Sequence, residues 1–186
     1  MTETTHRASR GRGGRPGRKG ITVGRIFTTA DVHPYDEVTW ERRDVVQTNW
    51  KTGETVFTQL GVEFPDFWSV NASTIVTTKY FRGAVGTPER ESGLKQLIDR
   101  VVLTYVKAGK DHGYFGSDED AEIFEHELTY ALLHQVFSFN SPVWFNVGLH
   151  HVYGVRGDKC NWRWNPETMD VEQPENPYEF PQGSAC

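Results

Sequence analysis

The side chain best suited to take part in a reaction is the thiol of Cys186. This cysteine follows Gly183, Ser184 and Ala185, and small side chains of this kind allow a backbone and a ligand to approach closely. A hydroxyl and backbone N–H groups in extended chain suit the oxygens of a phosphate or a sugar, and a thiol within reach of a substrate can act as a reductant. A free cysteine is also often a small buried apolar residue, so the local pattern leaves both interpretations open.

The histidines do not have the spacing of a metal site. His126 and His134 are eight residues apart, which is about 12 Å along a helix at 1.5 Å per residue. Zinc bonds of about 2.0–2.3 Å cannot bridge that distance. His150, His151 and Cys160 lack the closely paired ligands of structural zinc sites. We therefore predict no metal ligands in this chain, and we interpret His134 as a satisfied core or interface histidine.

Three predicted helices form the framework around these residues, at 68–81, 88–108 and 118–138. Each carries apolar residues at helical spacing on one face. The first has Ser69 among its possible N-caps. For the second, Thr87-Pro88-Glu89 predicts an N-cap followed by proline, and Gly109 fits the position after the C-cap.

The third predicted helix begins after a capping residue, Ser117, with three acids in its first turn. Its end is predicted at Asn140-Ser141-Pro142, since the residue before a proline avoids the helical region.

Outside the helices the pattern is weaker. Residues 21–64 are predicted to be extended and loop-like. They contain a strand at 55–60, and the chain is predicted to leave this strand after Gly61. The segment 36–49 cannot be assigned to helix or strand. Residues 149–182 show no period and contain four prolines, which is typical of an irregular insertion.

Composition and charge limit the class of protein. The 186 residues carry a net charge of −5, yet residues 7–25 hold seven cations and no acid. Residues 1–20 are predicted to be a disordered basic tail. No apolar run is long enough for a membrane span, no secretory signal is present, and two cysteines do not form a disulfide framework. We expect a cytoplasmic protein with reduced thiols.

Longer motifs resemble a known family. They are Lys79 to Glu91 (KYFRGAVGTPERE), Phe139 to Gly148 (FNSPVWFNVG) and the terminal Gly-Ser-Ala-Cys, with further likeness at 33–36 and 64–69. Together they closely resemble the N-terminal region of adenosylcobalamin-dependent (class II) ribonucleotide reductases. The resemblance covers roughly residues 25–148 and the final strand.

The resemblance implies a reaction and roles for three residues. Members of this family reduce ribonucleotides to 2′-deoxyribonucleotides through a cobalamin-initiated thiyl radical, with a separate cysteine pair supplying two electrons. Cys186 matches the first member of that pair, and Ser141, Ala185 (through its backbone) and Cys186 match substrate-binding positions. Cys160 matches no family cysteine. We expect a diphosphate substrate, although the residues do not distinguish it from a triphosphate.

The resemblance also implies a fold and partners. The expected fold class is mainly α with minor β: a helical region at 21–148 after the tail, the insertion at 149–182, and at 183–186 the first strand of a ten-stranded α/β barrel. Implied partners are the remainder of the reductase chain, which would bind most of the adenosylcobalamin, and a dithiol reductant such as thioredoxin. The resemblance is also compatible with a second copy in a homodimer. By itself this N-terminal part is expected to be inactive.

Two other functions fit the composition. A polyanion-binding module would use the arginine-rich tail to bind nucleic acid in a salt-sensitive way, although no aromatic residue is interleaved there to stack on bases. A helical interaction domain would dock its exposed aromatic residues on a partner.

Overall fold

The computed structural model describes residues 20–158, 161–181 and 183. A 3₁₀ turn at Pro34–Glu37 precedes the regular elements. In chain order these are β1 (Trp40–Thr48), β2 (Thr55–Pro65), α1 (Val70–Lys79), α2 (Leu94–Asp111), α3 (Asp118–Leu133), α4 (Ser141–Asn146), α5 (Leu149–Tyr153), β3 (Arg163–Asn165) and β4 (Asp170–Glu172). The predicted tail at 1–20 lies outside the described residues except for Gly20. Among the described helices, none has both the length and the apolar character needed to cross a bilayer.

Strands β1 and β2 form a long antiparallel hairpin, from Trp40 opposite Pro65 to Thr48 opposite Thr55. The register shifts after Arg43, where Gly61 takes a φ of 65° and donates its N–H to Asp44 at 2.8 Å. The prediction that the chain leaves the strand after Gly61 is therefore wrong. A bulge tolerates the glycine, and pairing resumes to Pro65.

Helix α2 is the centre of the core, and the apolar stripe predicted for it is confirmed. Its inward residues pack with the hairpin, α1, α3 and α4. The core residues that are at most 2% exposed include Val62, Phe64, Phe81, Leu94, Leu97, Ile98, Val101, Val102 and Leu133.

The predicted ends of α2 are wrong in position. The helix begins at Leu94, and its N-cap is Gly93, which also bridges to Glu63 of β2. Thr87 instead closes a turn by donating its hydroxyl to the Ala84 carbonyl at 3.0 Å. Gly109 lies inside the helix, where a Cβ would come within 2.4 Å of the Phe115 ring, so this glycine serves close packing.

Helix α3 begins where predicted, and α1 begins at Val70, two residues after the predicted start and directly after the candidate N-cap Ser69. Ser69 accepts a hydrogen bond from the Ala72 N–H, and Ser117 accepts one from the Asp120 N–H. Helix α3, however, ends at Leu133, and Gln135 then takes a φ of 57°. The run at 140–142 does not end this helix but begins the next one, because proline is also favoured in the first turn of a helix.

The segment at 149–182 contains regular structure in two places. Helix α5 continues from Gly148, and β3 pairs antiparallel with β4, closed by an ion pair between Arg163 and Glu172 at 2.6 Å. The described residues thus combine helices with two small antiparallel sheets, a mixed composition with more β-structure than the sequence indicated.

Residues 26–28 run along α3 and are held there by the carboxylate of Glu127. Glu127 accepts hydrogen bonds from the N–H groups of Ile26, Phe27 and Thr28 at 2.9–3.1 Å and from the Thr28 hydroxyl at 2.6 Å. Burial acts to raise the pKa of Glu127, but these hydrogen bonds outweigh it, so the pKa lies below its ordinary value.

This lowered pKa predicts a pH-dependent contribution to stability. A glutamate whose pKa is lower in the folded than in the unfolded chain stabilises the folded state at pH values above its unfolded pKa of about 4.3. This contribution is lost as the pH falls through the pKa of the folded state. We expect Glu127→Gln to lower the free energy of unfolding at pH 7 by about 1 kcal/mol, discounted for partial exposure. At about pH 3 the difference from the parent chain should narrow.

Urea unfolding of both proteins at the two pH values measures this effect. Glu167→Gln, at an exposed carboxylate in the β3–β4 turn, is the control and should stay within about 0.5 kcal/mol of the parent chain. A Glu127→Gln difference that is equally large at both pH values would contradict the assignment.

Candidate functional site

Ser141 is the one predicted site residue that lies within the described part of the chain, and the residue before it, Asn140, fixes its surroundings. The side chain of Asn140 caps α4 by accepting the Val143 N–H at 3.2 Å, and its amide nitrogen donates to the Gly183 carbonyl at 3.0 Å. Ser141 is the first residue of α4, so one asparagine holds both Ser141 and the approach to Cys186. We call Asn140, Ser141 and Gly183 the serine corner.

Ala185 and Cys186 lie outside the described residues, as does Cys160. Gly183 is the described residue nearest to them in sequence. A Cβ on Gly183 would be 3.8 Å from Val143, an ordinary van der Waals distance. The described neighbours therefore do not by themselves require a glycine at this position.

The hydroxyl of Ser141 has a partner on the neighbouring segment. Its Oγ lies 3.1 Å from the Tyr80 hydroxyl, and the Tyr80 ring stacks on Phe145 of the same helix at 5.3 Å. Tyr80 also lines an apolar cavity of about 360 Å³, together with Trp68, Leu97, Trp144 and others. Tyr80 thus connects the hydroxyl of Ser141 to the wall of an apolar cavity.

Two arginines hold the opposite end of α4. Arg100 of α2 donates to the Val147 carbonyl at 2.6 Å and to the Trp144 carbonyl at 2.9 Å, and Arg82 donates to the Phe145 carbonyl at 2.9 Å. Carbonyls at a helix end have no partner within the helix, and these guanidinium groups satisfy three of them.

A buried carboxylate connects both arginines. Glu91 is 1% exposed and accepts from Arg100 Nε at 2.7 Å, from the Arg82 N–H at 2.8 Å and from the Tyr153 hydroxyl at 2.9 Å. Burial, followed by the charge of Glu91, raises the pKa of Tyr153, so this phenol stays protonated as the donor. Burial and the neighbouring Arg100 lower the pKa of Arg82. Glu91, Arg100, Arg82 and Tyr153 are named the arginine–glutamate network.

Gly148 allows this network to approach the chain after α4. It takes a φ of 82°, and a Cβ there would lie 2.2 Å from the Arg100 carbonyl oxygen. Because that neighbour is backbone, no side-chain rotation can relieve the clash. We expect Gly148→Ala to lower the free energy of unfolding by about 2–4 kcal/mol, from the positive φ and from overpacking combined.

Gly154→Ala is the matched control. Gly154 also has a positive φ, of 66°, but nothing lies within 4 Å of its Cβ position. Its substitution should cost only about 1 kcal/mol. Equal losses for the two variants, measured by urea unfolding, would show that close approach to Arg100 does not matter.

The histidines have packing roles. His126 is buried, with Nδ1 3.2 Å from an Arg25 nitrogen, and His134 stacks between Tyr130 and Phe67. The Nε2 of His134 is buried without a hydrogen-bond partner in the described part of the chain, so the interpretation as a satisfied histidine is wrong for that atom. Within the same residues, no group of three or more His, Cys, Asp or Glu side chains could hold a metal.

Sequence reasoning predicted Ser141 as a site residue but did not identify the residues that contact it or hold its helix: Tyr80, Glu91, Arg100, Asn140 and Tyr153. The available signal was the charged Arg100 at the edge of an apolar helical stripe. A charge in that position needs a partner if it is buried, but its partners are 9, 44 and 47 residues away in sequence, where no local pattern points to them.

Comparison with known proteins places the chain in a family. Residues 42–135 match the family model described as class II vitamin B12-dependent ribonucleotide reductase. The vitamin B12-dependent ribonucleotide reductases of Streptomyces clavuligerus and Streptomyces coelicolor are 69% and 70% identical to this chain, over 80% of its length. That of Rhodopirellula baltica is 46% identical over 82% of it.

The matched region is a small part of these relatives, 15–16% of the length of each. The family match spans half of the chain and includes most of the hairpin and all of α1, α2 and α3, which support the serine corner and the arginine–glutamate network. The resemblance noted in the motifs at 79–91 and 139–148 is confirmed: the chain belongs to the class II vitamin B12-dependent ribonucleotide reductase family.

Proposed function

We propose that this chain is the N-terminal part of an enzyme that reduces ribonucleotides to 2′-deoxyribonucleotides, with a ribonucleoside diphosphate as substrate. The observation that supports this most directly is the hydrogen bond from Asn140 to Gly183, which brings Ser141 beside the chain that leads to Cys186. Three residues of extended chain span at most about 11 Å. The proposal requires these three residues to bring the thiol within reach of a substrate held at Ser141.

In this proposal Cys186 supplies half of the reducing equivalents. Removal of the 2′-hydroxyl as water requires two electrons and two protons. Two cysteine thiols provide both and become a disulfide, so a ribonucleotide and a dithiol give a deoxyribonucleotide, a disulfide and water. A dithiol such as reduced thioredoxin regenerates the pair by exchange through a mixed disulfide.

Ser141 and Ala185 are proposed to hold the substrate, Ser141 with its hydroxyl and Ala185 with its backbone. The Tyr80 hydroxyl bonded to Ser141 orients that group. Hydroxyls and backbone donors are common partners of phosphate and sugar oxygens. The second cysteine of the pair and the cysteine that becomes the thiyl radical are proposed to lie in the remainder of the enzyme.

The cavities beside the serine corner and the arginine–glutamate network do not fit the cofactor. They measure about 360 and 640 Å³, the size of pockets for drug-sized ligands, and a corrinoid with its nucleotide and adenosyl groups is larger. Adenosylcobalamin is therefore proposed to bind to the remainder of the enzyme. The same proposal includes the division of the chain into 1–20, 21–148, 149–182 and 183–186, with the last part entering the α/β barrel.

The full-length enzyme tests this function. It should convert cytidine diphosphate to its deoxy form when supplied with adenosylcobalamin and dithiothreitol, as followed by chromatography of the nucleotides. The 186-residue chain under the same conditions should form no product. Absence of deoxynucleotide with every ribonucleoside diphosphate and triphosphate would reject the proposal.

A further inference from the structure

We infer that Arg100 and Arg82 are positioning residues for the substrate, acting through helix α4 on Ser141. The inference rests on the proposed function, because it concerns the same serine corner. It assigns a role to side chains that lie at the other end of α4 from Ser141.

Helix α4 cannot fix its own orientation. It has six residues and is therefore about 9 Å long, and helices shorter than about 12 residues are marginal without tertiary contacts. The direction of the Ser141 hydroxyl consequently depends on what holds the helix from outside.

Two arginines hold the C-terminal end of α4 from outside the helix. Arg100 is fully buried, with both terminal nitrogens donating to the Trp144 and Val147 carbonyls. Arg82 donates to Phe145 through Nε and places its guanidinium carbon 5.1 Å from the Phe145 ring centre. A planar guanidinium fixes direction as well as distance.

The segment that carries Arg82 also contacts the other end of the helix. Tyr80, two residues earlier, bonds Ser141 with its hydroxyl and stacks on Phe145 with its ring. Residues 80–82 therefore contact α4 at both ends. A change in the tilt of α4 must alter the distance between Ser141 and Tyr80.

Glu91 makes these contacts one unit. It binds the Arg100 side chain, the Arg82 backbone and the Tyr153 hydroxyl of α5. The same carboxylate thus ties α2, the 80–82 segment and α5 together around α4. Such a network transmits a substitution at one arginine to the serine at the far end of the helix.

A double-mutant cycle in the full-length enzyme separates positioning from simple stabilisation. The variants are Ser141→Ala, Arg100→Lys and their combination, with Arg82→Lys and its combination with Ser141→Ala as a parallel cycle. The readout is the dissociation constant of cytidine diphosphate from equilibrium dialysis without cobalamin, so no turnover contributes. Arg43→Lys is the control, since Arg43 also donates to carbonyls, those of Pro65 and Asp66, at a site away from α4.

We expect Ser141→Ala to weaken binding by about 10-fold and Arg100→Lys by about 5-fold, as for the loss of one hydrogen bond to a charged ligand. The double variant should bind about as weakly as Ser141→Ala alone, because the arginine acts through the serine. Arg82→Lys should behave in the same way with a smaller effect, and Arg43→Lys should leave binding unchanged.

Each outcome has a distinct meaning. Independent effects that multiply to about 50-fold in the double variant, or unchanged binding in Arg100→Lys, overturn the positioning role while leaving the proposed function intact. If Arg100→Lys does not fold, the Arg82 cycle decides by the same criteria. Wild-type enzyme that neither binds nor reduces any ribonucleoside diphosphate or triphosphate instead rejects the proposed function itself.

Discussion

Replacing Glu91 by alanine should lower the free energy of unfolding of this chain by about 3–5 kcal/mol. Both partners of the Glu91–Arg100 pair are at most 1% exposed and lie 2.7 Å apart. Removing the carboxylate leaves the Arg100 guanidinium buried with only carbonyl partners. The Tyr153 hydroxyl and the backbone N–H of Arg82 also lose the carboxylate as their hydrogen-bond acceptor. Unfolding in urea, followed by tryptophan fluorescence, measures the loss.

The exposed pair between Lys107 and Asp111 on α2 provides the comparison. Its side chains are 65% and 56% exposed, so Asp111→Ala should cost less than about 1 kcal/mol. A Glu91→Ala loss as small as that of Asp111→Ala would mean that water reaches Arg100 and that the pair is not buried in solution.

The helices could be predicted from the sequence because their apolar residues repeat at helical spacing. Leu97, Ile98, Val101 and Val102 are buried as the stripe of α2 requires. Ser69 and Ser117 also indicated the starts of α1 and α3, since a side-chain cap acts within three residues. Local chemistry was sufficient in these cases.

The errors occurred where distant contacts decide the structure. Thr87-Pro88 has the residues of a helix start, yet α2 begins six residues later because Gly93 pairs with Glu63 of the hairpin. Pro142 fits both the end of one helix and the start of the next. The choice depends on Asn140, whose side chain caps α4. Strand β1 is rich in charged residues and carries little apolar alternation, so its pairing with β2 was not visible.

Only part of the candidate site could be predicted, because contacts between residues distant in sequence build the rest. The motif at 139–148 indicated Ser141 through family likeness, but no sequence pattern showed that Asn140 reaches Gly183, 43 residues later. The arginine–glutamate network joins residues between 82 and 153, and only the folded chain brings them together.

Cys186→Ser in the full-length enzyme should reduce deoxynucleotide formation by at least about 100-fold, as for loss of a group that takes part in the reaction itself. A serine hydroxyl cannot be oxidised to a disulfide, so the two electrons for removal of the 2′-hydroxyl have no source at this position. The proposal places Cys186 in the pair that reacts with substrate. The loss should therefore appear in the first turnover and not only in later ones.

The first turnover is measured with enzyme that is reduced beforehand, freed of dithiol and mixed with limiting adenosylcobalamin and cytidine diphosphate. Wild-type enzyme should form product from its own cysteine pair, and Cys186→Ser should form almost none. Cys160→Ser is the matched control and should retain full yield, since Cys160 matches no cysteine of the family. If Cys186→Ser gave a normal first turnover and failed only afterwards, Cys186 would serve to relay electrons from the external dithiol. In that case the thiol that reduces the ribose would have to be a different one, and the hydrogen bond from Asn140 to Gly183 would position the relay instead of the reductant.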